Sequence, residues 1–263
     1  TVNDSTVIGN STAAGSAEGG GIFSLSGAVT VTDSTVSGNS TAGSGSEGGG
    51  IYSNSGSVMV TNSTVSGNST AGDGSEGGGI ASILGAVTPT NSTVSGNSTA
   101  GGSSEGGGIR SGTDVTLTDS IVLGNVSTTG GAGDDEISLG AGDQLVLTGG
   151  NIVGGDRFEG ASDVGDVTAT EVFAATEEVI DGNGNATGVD AGVLADNGGP
   201  TETILIAVDG PAQEAGLVDP ETMTDQRGED RPTGVAGDLG AVEIQELGSL
   251  VVTTTADIVD DTD

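Results

Sequence analysis

Asn62-Ser63-Thr64-Val65-Ser66-Gly67-Asn68 decides the fold, because the chain repeats it. Its Ser-Thr-Val core recurs at Ser5-Thr6-Val7, Ser34-Thr35-Val36 and Ser92-Thr93-Val94, and as Ser120-Ile121-Val122, with spacings of 29, 29, 29 and 28 residues. A Glu-Gly-Gly-Gly-Ile cassette keeps the same step and ends at Ile22, Ile51, Ile80 and Ile109. Repeats of this length build solenoids, in which no unit buries its apolar face alone and each covers its neighbour.

Within a unit the pattern is that of strands. Val29-Thr30-Val31-Thr32 and Val58-Met59-Val60-Thr61 alternate with period two, and Gly, Ser and Asn clusters separate the β-branched runs. Three such runs fit each repeat, at 50–53, 57–62 and 63–68. Three short strands per coil of about 29 residues, each pairing one coil away, define an all-β parallel β-helix. The general crossover preference makes it right-handed. The reading divides the chain into regular coils over 1–125, degenerate coils with a closing cap over 126–248, and a strand-like tail over 249–263. Strand-like runs at 144–148, 151–153 and 203–208 mark the middle part.

Stacking places equivalent residues about 4.8 Å apart in columns. Asn10, Asn39, Asn68, Asn97 and Asn125 form one, each after a Gly, and are expected to hydrogen-bond along the stack. Asn39-Ser40-Thr41 and its copies also match a glycosylation acceptor, but a repeated turn creates such matches by itself. Glu18, Glu47, Glu76 and Glu105 form a second column. Like charges at that spacing cost about 0.9 kcal/mol per pair in water. Two readings stay open, a solvated turn in a saline setting and carboxylates bridged by calcium, whose hard oxygen preference suits them. Asp181, Asn183 and Asn185 place oxygen ligands on alternate residues, as a calcium loop does. That loop has Ala186 and Gly192 where an EF-hand would have its Gly and its Glu, so a weak calcium site and a plain acidic loop both remain.

Composition excludes several functions. The 263 residues include 38 Asp and Glu against 4 Arg, with no Lys, His, Cys or Trp, for a net charge of −34. Nucleic acid is not an expected partner, because neutralising phosphates needs basic side chains. Without His or Cys there is no Ser-His-Asp triad, thiol nucleophile, disulfide or ordinary zinc site. Phe23, Tyr52, Phe158 and Phe173 are the only aromatics, and no run of 18 apolar residues is present to insert into a membrane. The charge is uneven: 9 acids and Arg110 fall within 1–125, and the other 29 acids and 3 Arg follow.

The repeat, Asn-Ser-Thr-Val-Ser-Gly-Asn followed by Gly-Gly-Gly-Ile-Tyr-Ser, resembles right-handed parallel β-helix repeats of bacterial surface proteins, including the polymorphic outer-membrane type. A later series is more specific: Leu194-Ala195-Asp196-Asn197-Gly198-Gly199-Pro200-Thr201, Asp225-Gln226-Arg227-Gly228, Arg231-Pro232, and Asp238-Leu239-Gly240-Ala241-Val242-Glu243. It resembles the closing module, often called a choice-of-anchor domain, that ends many such β-helices. The usual Ser-Pro-Ala-Ile-Asp-Ala-Gly stretch is replaced by Gly210-Pro211-Ala212-Gln213-Glu214-Ala215-Gly216. The resemblance implies a secreted, non-enzymatic surface or matrix protein. It also implies that Arg227 and Arg231 hold the cap by pairing with carboxylates, with Asp225 and Asp238 in the same motifs.

Parallel β-helices also serve as polysaccharide lyases and hydrolases, and two carboxylates suffice for the latter. Asp134-Asp135-Glu136 is the densest acidic triplet, but it lies in a Gly-rich stretch and fits the closing module better. The reading is therefore a mechanical one, with a carbohydrate-binding adhesin or carbohydrate-active β-helix as the alternative and surface glycans as a further partner. Thr1 begins mid-repeat, while the tail carries a surplus strand-like run from Ser249 to Asp257. The expectation that follows is self-association, with modules or subunits stacking head to tail.

Overall fold

The computed structural model of the chain describes residues 1–128, 136–154, 167–217, 224–231 and 236–245. The tail expected over 249–263, and Asp134 and Asp135, lie outside these described residues.

From Val2 to Val153 the backbone winds into a parallel β-solenoid. The three runs expected in each coil appear, for example, at Ile51–Ser53, Val58–Thr61 and Thr64–Ser66. A further short run, Ser69–Ala71, pairs with its copies as well and follows the third across Gly67 and Asn68 alone. Four stacks result. The first runs from Val2–Asn3 to Leu145–Thr148 and the second from Thr6–Ile8 to Ile152–Val153, each six strands deep. The third, from Ser11–Thr12 to Val126–Ser127, and the fourth, from Ile22–Ser24 to Ile137–Leu139, have five each. Register follows the sequence period: Val65 sits between Val36 and Val94, and Ile80 between Ile51 and Ile109.

The runs are short because the backbone turns into the left-handed region at fixed places. Asp4, Asp33, Asn62, Asn91 and Asp119 all hold φ between 45° and 47°, a conformation that Asn and Asp tolerate best among residues with a side chain. A second bend uses Gly9, Gly38, Gly67, Gly96 and Gly124. Between bends, Ile51, Ile80, Ile109 and Ile137 stack inside, as do Val36, Val65 and Val94, all fully buried. Each such side chain contributes about 1.5–3 kcal/mol on burial, so a narrow core of repeated residues suffices without large rings.

One junction is weaker than its neighbours. Between Val87–Thr90 and Val115–Thr118 only Val87 with Val115 and Thr90 with Thr118 stay in register. Pro89 lies between them, with no N–H to give the ladder, at the step where the repeat shortens to 28 residues.

Residues 167–245, within the range read as a closing cap, leave the parallel coils. A four-residue helix, Ala169–Val172, starts at a capping box of Thr168 and Glu171. The hairpin of Thr176–Ile180 and Ala186–Gly192 and the antiparallel pair Leu194–Ala195 with Thr203–Ile204 follow. The described contacts of this segment reach the last coil and run back along the second stack, with the hairpin also against the third. Phe173, Ile204, Ile206, Ala212 and Leu239 pack with Ile121 and Ile152. Farther back along the same stack, Gly192 N donates to Ser95 Oγ and Ala241 N to Thr93 Oγ1. The segment is therefore a strap along the flank. The flank offers the strap a row of threonines, Thr35, Thr64 and Thr93, followed by the apolar Ile121 and Ile152. Among the described residues no helix is long and apolar enough to cross a membrane.

Candidate functional site

The columns expected along the axis supply the chemistry. Nδ2 of Asn10 donates to Oδ1 of Asn39, Asn39 to Asn68 and Asn68 to Asn97, each at 2.9 Å, and Asn97 donates to Asn125 at 2.8 Å. Each Oδ1 also accepts the main-chain N–H of the Asn one coil earlier at 3.0 Å. The second Nδ2 hydrogen of Asn39, Asn68 and Asn97 goes back to the carbonyl of Val7, Val36 and Val65. These buried amides are thus satisfied on both sides, and their dipoles align from first coil to last, which strengthens every link.

The third Gly of the cassette makes room for this ladder. A Cβ on Gly50 would stand 2.7 Å from Gly79 O and 2.9 Å from Asn68 Cγ, and Gly21, Gly79 and Gly108 meet the same obstruction. In the last coil the equivalent position is Glu136. Its carboxylate accepts from Gly124 N at 2.8 Å, from Asn125 N at 3.2 Å and from Asn125 Nδ2 at 2.6 Å. Glu136, singled out in the sequence as part of an acidic triplet, is buried and terminates the ladder. A parallel seam of Ser5, Ser34, Ser63, Ser92 and Ser120, each N–H donating to the next Oγ, ends in the same fashion on Asn151 Oδ1.

The glutamate column is also in register, Glu18 bridging to Glu47, Glu47 to Glu76 and Glu76 to Glu105. Arg110 relieves one half of it: its Nε lies 3.1 Å from Glu76 Oε2 and 3.7 Å from Glu105 Oε2, and Ser138 Oγ donates to Glu105. Glu47 sits in the other half. Burial, then the charges of Glu76 and Glu18, push its carboxyl up to about 7, against the pull of Arg110 and a hydrogen bond from Tyr52. Burial, then the charges of Glu47, Glu18 and Glu76, push the Tyr52 hydroxyl up to about 12. Among the described residues no three metal-ligating side chains converge, in this column or elsewhere.

The Asp181 loop is a hairpin turn that closes on itself. Asp181 Oδ1 accepts from the main-chain N–H groups of Asn183 and Asn185 and from Asn185 Nδ2, and both Asn residues are exposed.

All four residues assigned to the closing motifs come together in the strap. Asp225 Oδ2 receives Arg227 Nε at 2.9 Å, Arg227 Nη2 at 2.7 Å and Glu243 N at 2.9 Å. Arg231 Nη1 meets Glu243 Oε2 at 3.1 Å and Nη2 donates to Gly240 O, while Asp238 fixes Glu214 N and Ile244 N. Three residues to which the sequence reading gave no role, Gln226 and Glu243 within the quoted motifs and Asp119 outside them, complete the attachment. Glu243 partners Arg231; burial pushes its carboxyl up to about 7, against the Asp238 amide and Arg231. Gln226 enters the threonine row of the second stack, accepting from Thr64 Oγ1 and donating to Thr35 and Thr201. Asp119 accepts from Gly150 N and Leu217 N through its carboxylate and from Gly240 N through its carbonyl.

No protein-family model, curated protein or solved structure matches the chain. Its class rests on its own geometry: a parallel β-solenoid with ordered polar seams and a strap along one flank.

Proposed function

We propose that the chain is a non-enzymatic structural segment of a secreted bacterial assembly, a rigid piece of a surface fibre, adhesin stalk or matrix. The observation that carries this reading is the unbroken amide ladder from Asn10 to Glu136, laid parallel to four stacks of main-chain hydrogen bonds. Stiffness along an axis comes from such seams, and neither a ligand cavity nor a set of catalytic bases is needed for it. Lack of Lys and His and the commitment of Glu136 to the ladder support a passive role. The likeness of the Arg227 and Arg231 motifs to closing modules of bacterial surface β-helices supports the exterior setting.

Six strands at about 4.8 Å give one chain roughly 25 Å of axis, so its use lies in being one segment among several, with further coils from other modules or subunits added end to end. Electron microscopy of the assembled material tests the reading. The expected image is a filament whose axial repeat contains this solenoid; material that shows only separate globular particles overturns it.

A further inference from the structure

Between Val29 and Thr148 the outward face of the first stack carries no charge, in a chain whose net charge is −34. Alternation along each strand turns one set of side chains to the core and the other out. Register lines up the outward set in two columns. Thr32, Thr61, Thr90, Thr118 and Thr148 make an unbroken one. The other has Thr30, Thr88 and Thr116, interrupted by Met59 and Val146, each 40 % exposed. Members of a column stand about 4.8 Å apart, and the two columns about 6.7 Å apart, which is two residues of strand rise. Of these threonine hydroxyls, that of Thr88 alone has a hydrogen-bond partner among the described residues, Val58 O at 3.4 Å. The strap leaves the face bare, since its described hydrogen bonds to the solenoid go to the second stack and to the bend at Asn62 and Asp119. Flanking acids are engaged elsewhere: the Asp119 carboxylate accepts from Gly150 N and Leu217 N, and Asp114 Oδ1 from Gln144 N.

A flat, rigid and neutral array of hydroxyls and methyls suits a neutral partner that is itself a fixed lattice. Ice is such a partner, because its surface repeats water oxygens at spacings close to these two. An ionised group would hold a hydration shell of its own, out of step with the crystal. A threonine hydroxyl both donates and accepts, and its methyl sits in the gaps between ordered waters. We propose that the outward face of the first stack is an ice-binding surface, on which the Thr32 to Thr148 column and the partial column beside it hold a layer of lattice water. Met59 is flexible and, like Val146, offers no hydroxyl, so these two positions are the gaps in the array. The surface needs no neighbouring module, so it stands or falls apart from the rod reading.

The test freezes a dilute solution of the full chain slowly from one side and compares the protein concentration in the ice with that left in the liquid. The chain is retained in the ice. Met59→Thr fills a gap and raises the ratio about fivefold, the worth of one added hydrogen bond. Thr90→Lys sets an ammonium with its own water inside the unbroken column and lowers the ratio by about tenfold or more. Ser44→Lys places the same charge in the turn after Ser40–Ala42 and leaves the ratio unchanged. Protection of the Thr64–Ser66 amides from hydrogen exchange reports folding in every variant. Exclusion of the unaltered chain from the ice overturns the proposal, as do equal ratios for Thr90→Lys and Ser44→Lys. Should Thr90→Lys loosen its coil, Met59→Thr decides alone, and the absence of a rise overturns the proposal.

Discussion

Asn125 Nδ2 donates to the Glu136 carboxylate at 2.6 Å, the shortest link in a ladder whose other members are amides. The ladder needs an acceptor that makes no demand for a successor, and a carboxylate is such a group. The aligned amide dipoles present their N–H end to it, so its oxygens complete the seam.

Replacing Glu136 with Ala leaves the Gly124 and Asn125 amides and Asn125 Nδ2 without this partner in a buried setting. A loss of about 2–4 kcal/mol in unfolding free energy is expected from denaturant titration. Glu136→Gln keeps an acceptor and loses less. Equal, small effects from both variants contradict a terminating role.

Stability falls as pH rises through neutrality. Glu47 and Glu243 hold their protons more tightly folded, up to about 7, than at the ordinary value of 4.5. Their contribution is complete below about pH 4.5 and is lost as pH climbs through about 7. Melting temperature between pH 5 and 8 is the measurement. Glu47→Gln flattens part of the slope, added salt reduces it by screening Glu18 and Glu76, and a curve that rises with pH contradicts the assignment.

Pro89→Val restores the residue type found at Val31 and Val60, together with a ladder donor toward the Val115–Thr118 strand. A gain of about 1 kcal/mol is expected, seen as a higher melting temperature. An unchanged or lower value means that the register there is set by the shortened repeat and not by the proline.

Gln226→Leu removes hydrogen bonds to Thr35, Thr64 and Thr201 at one buried point. A cost of about 2–3 kcal/mol is expected, with faster proteolysis of the strap while the amides of Thr64–Ser66 remain protected. Loss of solenoid protection in step with the strap shows that the two unfold as one unit.

The coils, their register and the Asn column were legible in the sequence because each depends on contacts one period apart, which repetition writes directly into the residue order. The Ser69–Ala71 run was harder to read, since Ser-Thr-Ala has a weak strand signature and is held by stacking on its copies. Glu136 looked like one member of an acidic triplet, because its role depends on where the ladder stops and not on its neighbours in the chain. The path of the strap back along the solenoid is likewise absent from the local sequence. Gln226 meets Thr64 across 162 residues and Thr35 across 191, and no local pattern encodes a choice of partner at that distance.

The strap also decides how the molecule answers to pulling. In each coil the strands run across the axis and their hydrogen bonds along it, so a tensile load reaches the coil junctions in series, among them the one that Pro89 leaves a ladder donor short. The strap spans that junction, fastened to Thr35 and Thr64 on one side and to Asp119 on the other. It works as a stitch in parallel with the seam, and the coils between its fastenings separate only after its bonds to Thr35, Asn62 and Thr64 let go.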